Sequence, residues 1–270
     1  MRRVTAFFTA QRAAVPAKPL AFLCAIALAA ALAPGALWGQ SLTLLCEDDP
    51  PLQFVDINGR LTGLTVEVVR EIQKRVGSTE EIKIVPWARG YDAALAGPNI
   101  VLFSMARTAE RERLFNWVGP VMESVYGFYA KSSSRLSVDS IEEAKRVGRI
   151  GVYANDARDL ILTGLGFTNL DRATDNVTNV KKLMAGRIDL YAGSSTQIAS
   201  DARAAGFSPS ELKEVFPFQR IRLYVTLSQG TDPNTVAAWS KAFASMSADG
   251  TFKRIFAAYY PELRPPSSAP

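Results

Sequence analysis

Short apolar runs alternate with amphipathic helical segments along the chain after residue 40, and this alternation constrains the fold more than any other feature of the sequence. The runs at residues 82–85 and 100–103 are short and bounded by turn signals, as buried strands are. Helix signals lie between such runs; for example, Asp232-Pro233 predicts the start of a helix that reaches about Ala248. Strands and helices that alternate in this way predict an α/β protein.

Two longer extended segments, at residues 126–131 and 221–228, bracket the middle of the chain. Each is apolar and long enough to cross from one lobe to another. We therefore expect a discontinuous first lobe of residues 40–127 and 224–264, and a second lobe of residues 128–223. A cleft between two lobes joined in this way can bind a ligand and open or close by hinge motion.

The two ends of the chain lie outside the predicted lobes. Residues 1–39 have the pattern of a secretory signal peptide, because four cations precede an uncharged run at residues 20–33. That run is shorter than the roughly 20 residues of a bilayer span, so an uncleaved anchor is the weaker interpretation. Cleavage after Ala36 or after Gly39 fits equally well, and a Pro/Ser tail at residues 265–270 is expected to be disordered. The four cations are Arg2, Arg3, Arg12 and Lys18.

The charge of the chain is concentrated in that first segment. The whole chain has 31 basic and 26 acidic residues, a formal net charge of +5. Without the four cations of the predicted signal peptide, 27 basic residues face 26 acidic ones. The basicity therefore belongs to the export signal, and it gives no reason to expect nucleic acid or an anionic membrane as a partner.

The chain has no histidine and only two cysteines. The missing imidazole excludes a Ser-His-Asp or Cys-His nucleophile system, a His-ligated zinc site and a histidine pH switch. Two cysteines cannot build a disulfide framework or a Cys₄ metal site. Cys24 lies in the predicted signal peptide, and Cys46 is expected to be a free, buried thiol. We expect neither a metal nor a cofactor.

Four motifs follow one another along the chain: PPLQF with Asn58-Gly59 and LTGLTVEVV, then TAER, AGRID and ADGTFKRI. They begin at residues 50, 108, 185 and 248, with LTGLTVEVV beginning at residue 61. In this order they resemble elements of the family 3 bacterial extracellular solute-binding proteins, although Ala109 stands where that family usually has a proline. The resemblance covers nearly the whole chain after the predicted signal peptide.

The resemblance implies the fold of a type II periplasmic binding protein, with two lobes, a central ligand cleft and two hinge strands. Members of the family are periplasmic receptors of polar amino acid ABC importers. We therefore expect a periplasmic monomer without catalytic activity that captures a small polar, carboxylate-bearing solute and delivers it to a membrane permease. A few relatives are cyclohexadienyl or arogenate dehydratases, so an enzyme on the same scaffold is the alternative.

The resemblance also implies that Arg111, in the TAER motif, clamps the carboxylate of the ligand. A guanidinium offers the bidentate fork that a carboxylate needs. Thr108 is a candidate cap for a short helix through Leu114. The dipole of that helix would disfavour a cation in its first turn, so contact with a ligand would explain why Arg111 is at that position. Ser104 and Met105, at the end of the preceding strand, are predicted to add a hydroxyl and backbone groups.

Aromatic and acidic residues follow two other predicted strands. Trp87 either forms one wall of the cleft or belongs to the core, and Arg89 beside it offers a second contact for an anion. Glu47, Asp48 and Asp49 follow the first strand, where at least one of them is expected to accept a ligand ammonium. Strand alternation leaves open which one, and Glu47 and Asp48 are our candidates.

The predicted second lobe departs from the family pattern. Amino acid binders of the family usually have an aspartate five positions after the Asp of the AGRID motif, where it takes the α-ammonium of the ligand; here that position is Ser194. A hydroxyl does not replace the charge, so an α-amino acid ligand would need Glu47 or Asp48 instead. Tyr153 and Asn155 lie in a strand-to-helix loop where the family presents backbone amides to a carboxylate.

Overall fold

A computed structural model describes residues 41–267 of the chain. The predicted signal peptide and its two cleavage positions lie outside the described residues, as do residues 268–270. Within the described part of the chain, no helix is both long enough and apolar enough to cross a membrane.

The strands include eight that form one mixed sheet, in which parallel and antiparallel neighbours both occur. In chain order the strands are β1 (Thr43–Cys46), β2 (Phe54–Val55), β3 (Leu61–Thr62), β4 (Ile82–Ile84), β5 (Ile100–Ala106), β6 (Phe115–Lys131), β7 (Ile150–Tyr153), β8 (Leu170–Ala173), β9 (Leu190–Ser194) and β10 (Leu212–Ser228). The order across the sheet is β4-β1-β5-β10-β6-β9-β7-β8, and β2 pairs with β3 around the predicted Asn58-Gly59 turn.

The helices follow the strands as the sequence pattern predicts. They are α1 (Leu64–Val76), α2 (Trp87–Ala96), α3 (Ile141–Ala144), α4 (Ala157–Gly164), α5 (Asn176–Met184), α6 (Ile198–Ala204), α7 (Pro233–Ala248) and α8 (Thr251–Tyr259). Asp232 caps α7 by accepting a hydrogen bond from the amide of Asn234, and Pro233 occupies its first turn, as predicted. The α/β class predicted from the alternation is confirmed.

The two longest strands, β6 and β10, run antiparallel to each other through the middle of the sheet. β10 also pairs with β5, and β6 also pairs with β9. The two extended segments predicted near residues 128 and 223 are therefore present, but each strand has 17 residues and is longer than predicted. These two strands connect the two halves of the sheet.

Parallel strands flank this central pair on both sides. β1 is parallel to β4 and β5, and β7 is parallel to β8 and β9. In open α/β sheets, ligands bind beyond the carboxyl ends of such strands. Here those ends lie at Cys46, Ala106 and Tyr153.

The buried apolar side chains form separate cores in the two halves of the sheet. The larger core joins strand residues such as Leu44 and Phe103 to Trp239 of α7. A second core contains Phe128 and Ile150, from β6 and β7. This division agrees with two lobes, whose exact limits stay a prediction because the described residues belong to one compact unit.

Two local predictions are wrong. Thr65 does not cap α1: the helix begins after Gly63, whose φ of 124° is a left-handed value that favours glycine. A Cβ at Gly63 would also lie 2.4 Å from the carbonyl oxygen of Leu52, so the close approach of that backbone requires a glycine. Residues 108–114 form successive turns instead of the predicted helix.

Candidate functional site

A narrow cavity of about 40 Å³ lies at the carboxyl ends of β1, β5 and β7. Side chains from both halves of the sheet line it, and most of them are polar or charged. They are Glu47, Asp49, Trp87, Ser104, Ala106, Arg111, Tyr126, Tyr153, Asp156, Ala157, Arg158, Asn176, Gln197 and Leu223.

Arg111 is the buried cation at the centre of the site, with only 1% of its surface exposed. Its guanidinium lies over the rings of Trp87 and Tyr91, at 5.4 and 4.9 Å from their centroids. Nη1 makes a long hydrogen bond of 3.5 Å to the carbonyl oxygen of Ala106. Nε and Nη2 have no hydrogen-bond partner among the described residues. A buried charge with unsatisfied donors is costly, and an anion in the cavity would remove that cost.

The turn at residues 108–114 positions Arg111. The amide of Arg111 donates to the carbonyl of Thr108, and the amide of Leu114 donates to the carbonyl of Arg111, at 3.1 and 3.0 Å. Because no helix forms here, the dipole argument for Arg111 does not apply. The side chain is placed instead by two aromatic rings and by the end of β5.

Two acids from the loop after β1 face the same cavity. The Tyr153 hydroxyl donates to Glu47 Oε2 at 3.0 Å, and Gln197 Nε2 donates to Asp49 Oδ2. Burial, together with the nearby Asp201 carboxylate, raises the pKa of Asp49 from an ordinary 3.8 to about 7. Burial and the neighbouring Asp49 also raise the pKa of Glu47 well above its ordinary value. A cation in the cavity would reverse both shifts.

The second cation of the cavity, Arg158, differs from Arg111 because its charge is already paired. Its guanidinium forms an ion pair with Asp156 at 2.5 Å and donates to Asn176 Oδ1 at 2.9 Å and to the Tyr191 hydroxyl at 3.4 Å. It also lies over the Tyr126 ring, 5.5 Å from its centroid. This pair makes the second half of the cavity polar without giving it a net charge.

Strained backbone occurs on both sides of the cavity. Ser104 and Asn155 have φ values of 62° and 61°, in the left-handed region that non-glycine residues rarely adopt. The Ser104 hydroxyl donates to Gln53 Oε1 at 2.6 Å and shares a hydrogen bond of 2.9 Å with Thr65. The indole nitrogen of Trp87 donates to the carbonyl oxygen of Asn155 at 3.3 Å. These contacts hold the end of β5 and the loop after β7 in place.

The structure brings together half of the residues predicted from the sequence. Those that line the cavity are Glu47, Trp87, Ser104, Arg111 and Tyr153.

The other five predicted residues lie elsewhere. Met105 points into the core on the opposite face of β5 from Ser104, as strand alternation requires, and Asp48 is exposed between Glu47 and Asp49 in the loop after β1. Arg89 is exposed on α2, and Asn155 is exposed apart from the carbonyl that meets Trp87.

The fifth, Ser194, is buried beside the cavity wall. Its hydroxyl shares hydrogen bonds with Ser124 at 2.7 Å and with Thr196 at 3.2 Å. The hydroxyl is therefore engaged in a cluster of neighbouring hydroxyl groups.

Sequence reasoning missed most of the second half of the cavity. Asp49 is one of three adjacent acids, and the two-residue alternation that would turn Glu47 towards the cavity would turn Asp49 the same way. Arg158, Asn176 and Gln197 had no signal of their own, because they meet at the cavity from three separate loops and helix starts.

Comparison with known proteins agrees with this architecture. A family profile described as bacterial extracellular solute-binding proteins, family 3, matches residues 42–262. A probable amino-acid ABC transporter-binding protein of Haemophilus influenzae is 28% identical over 138 residues, which are 49% of this chain and 52% of that protein. A probable histidine-binding protein of Neisseria gonorrhoeae is 21% identical over 78% of this chain and 79% of its own length. The chain thus spans about half the length of the first relative.

Solved structures show the same fold at low sequence identity. A histidine kinase sensor domain with similarity to periplasmic binding proteins superposes with a TM-score of 0.76, at 21% identity over 84% of this chain and 98% of that domain. An ancestral amino acid-binding protein described as a precursor of cyclohexadienyl dehydratase gives a TM-score of 0.69, at 19% identity over 82% of this chain and 95% of the other.

Proposed function

Because the chain belongs to the bacterial extracellular solute-binding proteins, family 3, we propose that it is a periplasmic receptor that captures a small polar solute bearing a carboxylate. In this proposal the solute is enclosed between the two halves of the sheet and then delivered to the permease of an ABC-type importer. The Haemophilus relative is named as a probable amino-acid ABC transporter-binding protein and the Neisseria relative as a probable histidine-binding protein, and both names support this role.

The observation that carries the proposal is the state of Arg111. Its guanidinium is buried, and two of its three nitrogens have no partner among the described residues. Arginine forms two parallel hydrogen bonds with a carboxylate, and such charge-assisted bonds are among the strongest in proteins. A ligand carboxylate at this place would satisfy donors that the described part of the chain leaves without an acceptor.

The acids of the same cavity support a ligand that also carries a cationic nitrogen. Glu47 and Asp49 line the cavity, whereas the hydroxyl of Ser194 is held by its neighbours. We therefore propose that the loop after β1 accepts the ammonium that other members of the family direct to the position of Ser194. An amino acid carries both groups, and a Kd of about 1 μM would require only about 8 kcal/mol of net binding free energy.

Arg111→Met tests this function. A thermal-shift screen of the wild-type protein against amino acids, polyamines and small organic acids should identify ligands that raise the melting temperature. At 1 mM, a ligand with a Kd of about 1 μM should stabilise the folded protein by about 4 kcal/mol. The substitution should weaken binding of carboxylate ligands about 100-fold or more, because it removes a buried, hydrogen-bonded charge partner. The melting temperature without ligand should stay the same or rise, because an unpaired buried charge is also removed.

The matched control is Arg89→Met, which removes an exposed arginine of the neighbouring helix. It should bind ligand as the wild-type protein does. Undiminished carboxylate binding by Arg111→Met, with a folded protein, would refute the proposed clamp.

Elimination chemistry is a second candidate function, favoured by one observation. The cavity places carboxyl groups with raised pKa, Glu47 and Asp49, in the same space as an arginine that can hold a carboxylate substrate. A carboxyl group with a raised pKa can act as a general acid near neutral pH. Incubation with arogenate or prephenate, followed by product detection, tests this function: turnover that Glu47→Gln abolishes would favour the enzyme, and its absence in the wild-type protein would exclude this activity on those substrates.

A further inference from the structure

Gln53 is a fully buried glutamine that contacts two of the residues lining the cavity of Arg111. Its backbone pairs with that of Asp49: the Asp49 amide donates to the Gln53 carbonyl at 2.7 Å, and the Gln53 amide donates to the Asp49 carbonyl at 3.2 Å. Its side-chain oxygen, Oε1, accepts from the Ser104 hydroxyl at 2.6 Å. One residue thus connects the acidic loop after β1 with the end of β5.

The length of the contact between Ser104 and Gln53 indicates which group donates. Hydrogen bonds between two oxygens are about 2.5–3.0 Å long, whereas those from a nitrogen to an oxygen are about 2.7–3.2 Å long. At 2.6 Å, the contact fits the amide oxygen of Gln53 as the acceptor. The Ser104 hydroxyl therefore donates its single proton to Gln53.

This direction determines what the Ser104 hydroxyl can offer to a ligand. A serine hydroxyl has one donor and two acceptor positions. Since its proton goes to Gln53, the donor in its 2.9 Å contact with Thr65 is the Thr65 hydroxyl. One lone pair of the Ser104 oxygen then has no donor among the described residues. Ser104 lines the cavity, so its hydroxyl can accept from an N–H group there and cannot donate to a carboxylate.

Both residues carry a cost that stability alone does not explain. Gln53 Nε2 is buried and has no hydrogen-bond partner among the described residues, and Ser104 has a left-handed φ of 62°. An apolar side chain of similar size at position 53 would avoid the buried, unsatisfied nitrogen. Unfavourable features that gather at one place are typical of binding sites.

The Ser104 oxygen acts on a ligand in the same sense as Asp49. Arg111 offers N–H donors without a partner among the described residues, and these suit a carboxylate. Asp49 lines the same cavity and offers carboxylate oxygens, which suit an ammonium. Gln53 thus organises two acceptors for a cationic nitrogen, Asp49 through its backbone and Ser104 through its side chain.

We propose that Gln53 is a positioning residue that fixes the Ser104 hydroxyl as an acceptor for the ligand ammonium. The site then selects compounds that carry a cationic nitrogen over carboxylates that lack one. This inference rests on the proposed function, in which Arg111 binds the carboxylate of the same ligand.

Calorimetric titration with pairs of compounds that differ only in the α-ammonium tests the inference. The pairs are L-histidine with imidazolepropionate, L-glutamate with glutarate, and L-alanine with propionate. The measured quantity is the ratio of the affinities of the amino acid and its desamino analogue. For a pair that binds, the wild-type protein should favour the amino acid about tenfold or more, because hydrogen bonds to a charged group are lost in the analogue.

Ser104→Ala should lower this ratio about tenfold, because it removes one acceptor for the ammonium and leaves Arg111 in place. Gln53→Met should lower the ratio about threefold or more, because the released hydroxyl can turn and donate to a carboxylate. In the Ser104→Ala background, Gln53→Met should lower the ratio no further, since the hydroxyl through which Gln53 acts is gone. A general structural effect of Gln53→Met would persist in that background.

Gln73→Met is the matched control. Gln73 is another buried glutamine, on α1, and its Nε2 donates to Ser78 Oγ and to the carbonyl of Glu80 instead of to the cavity. This variant should keep the wild-type ratio. Ser104→Ala removes only one hydroxyl, so it tests the acceptor role even if Gln53→Met does not fold.

The inference is overturned if the wild-type protein binds both members of a pair equally well, or if Ser104→Ala or a folded Gln53→Met leaves the ratio unchanged. It is also overturned if Gln53→Met has the same effect with and without the Ser104 hydroxyl, or if Gln73→Met has the effect of Gln53→Met. In these cases the proposed function stands wherever binding depends on Arg111. If the wild-type protein binds none of the compounds, the proposed function fails for them, and this inference fails with it.

Discussion

Arg111 and Arg158 are both buried in one cavity, but their surroundings give them different roles. Arg158 has partners for its guanidinium in Asp156, Asn176 and Tyr191. Arg111 has aromatic rings on its face and two nitrogens without a partner among the described residues. A fully satisfied cation shapes the cavity, whereas an unsatisfied one adds to the affinity for an anion because the ligand supplies the missing acceptors.

Asp49 should link ligand binding to pH. The pKa of Asp49 is about 7 in the unliganded folded protein, against an ordinary value of 3.8. At a pH between these two values, Asp49 keeps a proton in the folded protein that it has lost in the unfolded chain. Its contribution to stability is therefore fully present below about pH 4 and is lost as the pH rises through about 7. A cationic ligand should favour the ionised form and so expel that proton. Titration calorimetry at pH 6, in buffers of different ionisation enthalpy, should show proton release on binding, to which Glu47 contributes as well because its pKa is also raised, and affinity should rise between pH 5 and 7.

Asp49→Asn should reduce this proton release to the part that Glu47 contributes, and it should weaken the binding of cationic ligands. Asp48→Asn is the control, because it changes the neighbouring exposed acid. Equal proton release from the wild-type protein and from Asp49→Asn would assign the released proton to another group and contradict the role of Asp49.

At the residue scale, the sequence predicts side chains that a strand or a motif orients, and it misses those that the tertiary fold brings in. Arg111 belongs to a motif, and Glu47 follows a strand directly, so the sequence predicts both for the cavity that they line. Gln197 reaches Asp49 from 148 residues away, and no local pattern indicates that contact. Ser194 is a candidate from its position five residues after the Asp of the AGRID motif, and in the structure its hydroxyl shares hydrogen bonds with Ser124 and Thr196.

At the element scale, the first turn of α4 combines a helix cap with a buried ion pair. Asp156 Oδ1 accepts from the amide of Asp159 at 3.0 Å, and Oδ2 pairs with Arg158. The cap of α5 is simpler: Asp175 accepts from the amide and the hydroxyl of Thr178. The same residue type thus has one structural role in α5 and two in α4.

Asp156→Ala should therefore destabilise the protein much more than Asp175→Ala. Loss of a cap costs about 1 kcal/mol, whereas breaking a buried ion pair costs about 3–5 kcal/mol because one charge is left without a partner. Urea denaturation of the two variants measures the difference. Similar midpoints would show that Arg158 finds another partner, and the double variant Asp156→Ala with Arg158→Met should recover part of the loss if the isolated charge is the cause.

Elements with strong end signals were predicted well. The Asp232-Pro233 start and the left-handed Gly77 at the end of α1 correspond to helix limits in the structure. The first half of β6 was missed because its burial is uneven and Gly119-Pro120 interrupts the pattern. β8 was missed as well, since only one of its four residues is buried.

At the scale of the whole molecule, the two halves of the sheet are joined by β6 and β10 and held together at the cavity by side-chain contacts. Those contacts are Tyr153 with Glu47, Gln197 with Asp49, Trp87 with the carbonyl of Asn155, and Ser200 with the carbonyl of Pro50. Rotation about the two long strands would break them and leave the sheet pairing of β6 with β10 intact. If the protein is the proposed two-lobed receptor, we interpret this arrangement as its closed form.

Two opposing contributions act on closing without a ligand. Each hydrogen bond across the cavity contributes about 1 kcal/mol. Burying Arg111 without an acceptor costs several kcal/mol. We therefore expect the open form to be well populated in the unliganded protein, and ligand binding to shift the population to the closed form.

Arg111→Met should for this reason close the protein without any ligand. The substitution keeps an apolar side chain against Trp87 and Tyr91 and removes the charge that opposes closure. Small-angle scattering should give a smaller radius of gyration for unliganded Arg111→Met than for the unliganded wild-type protein, and a value close to that of the liganded wild type. Arg89→Met should behave as the wild type does. If the wild-type protein has the same radius of gyration with and without a saturating ligand, closure is not coupled to binding, and the unsatisfied guanidinium of Arg111 is not the group that holds the cleft open.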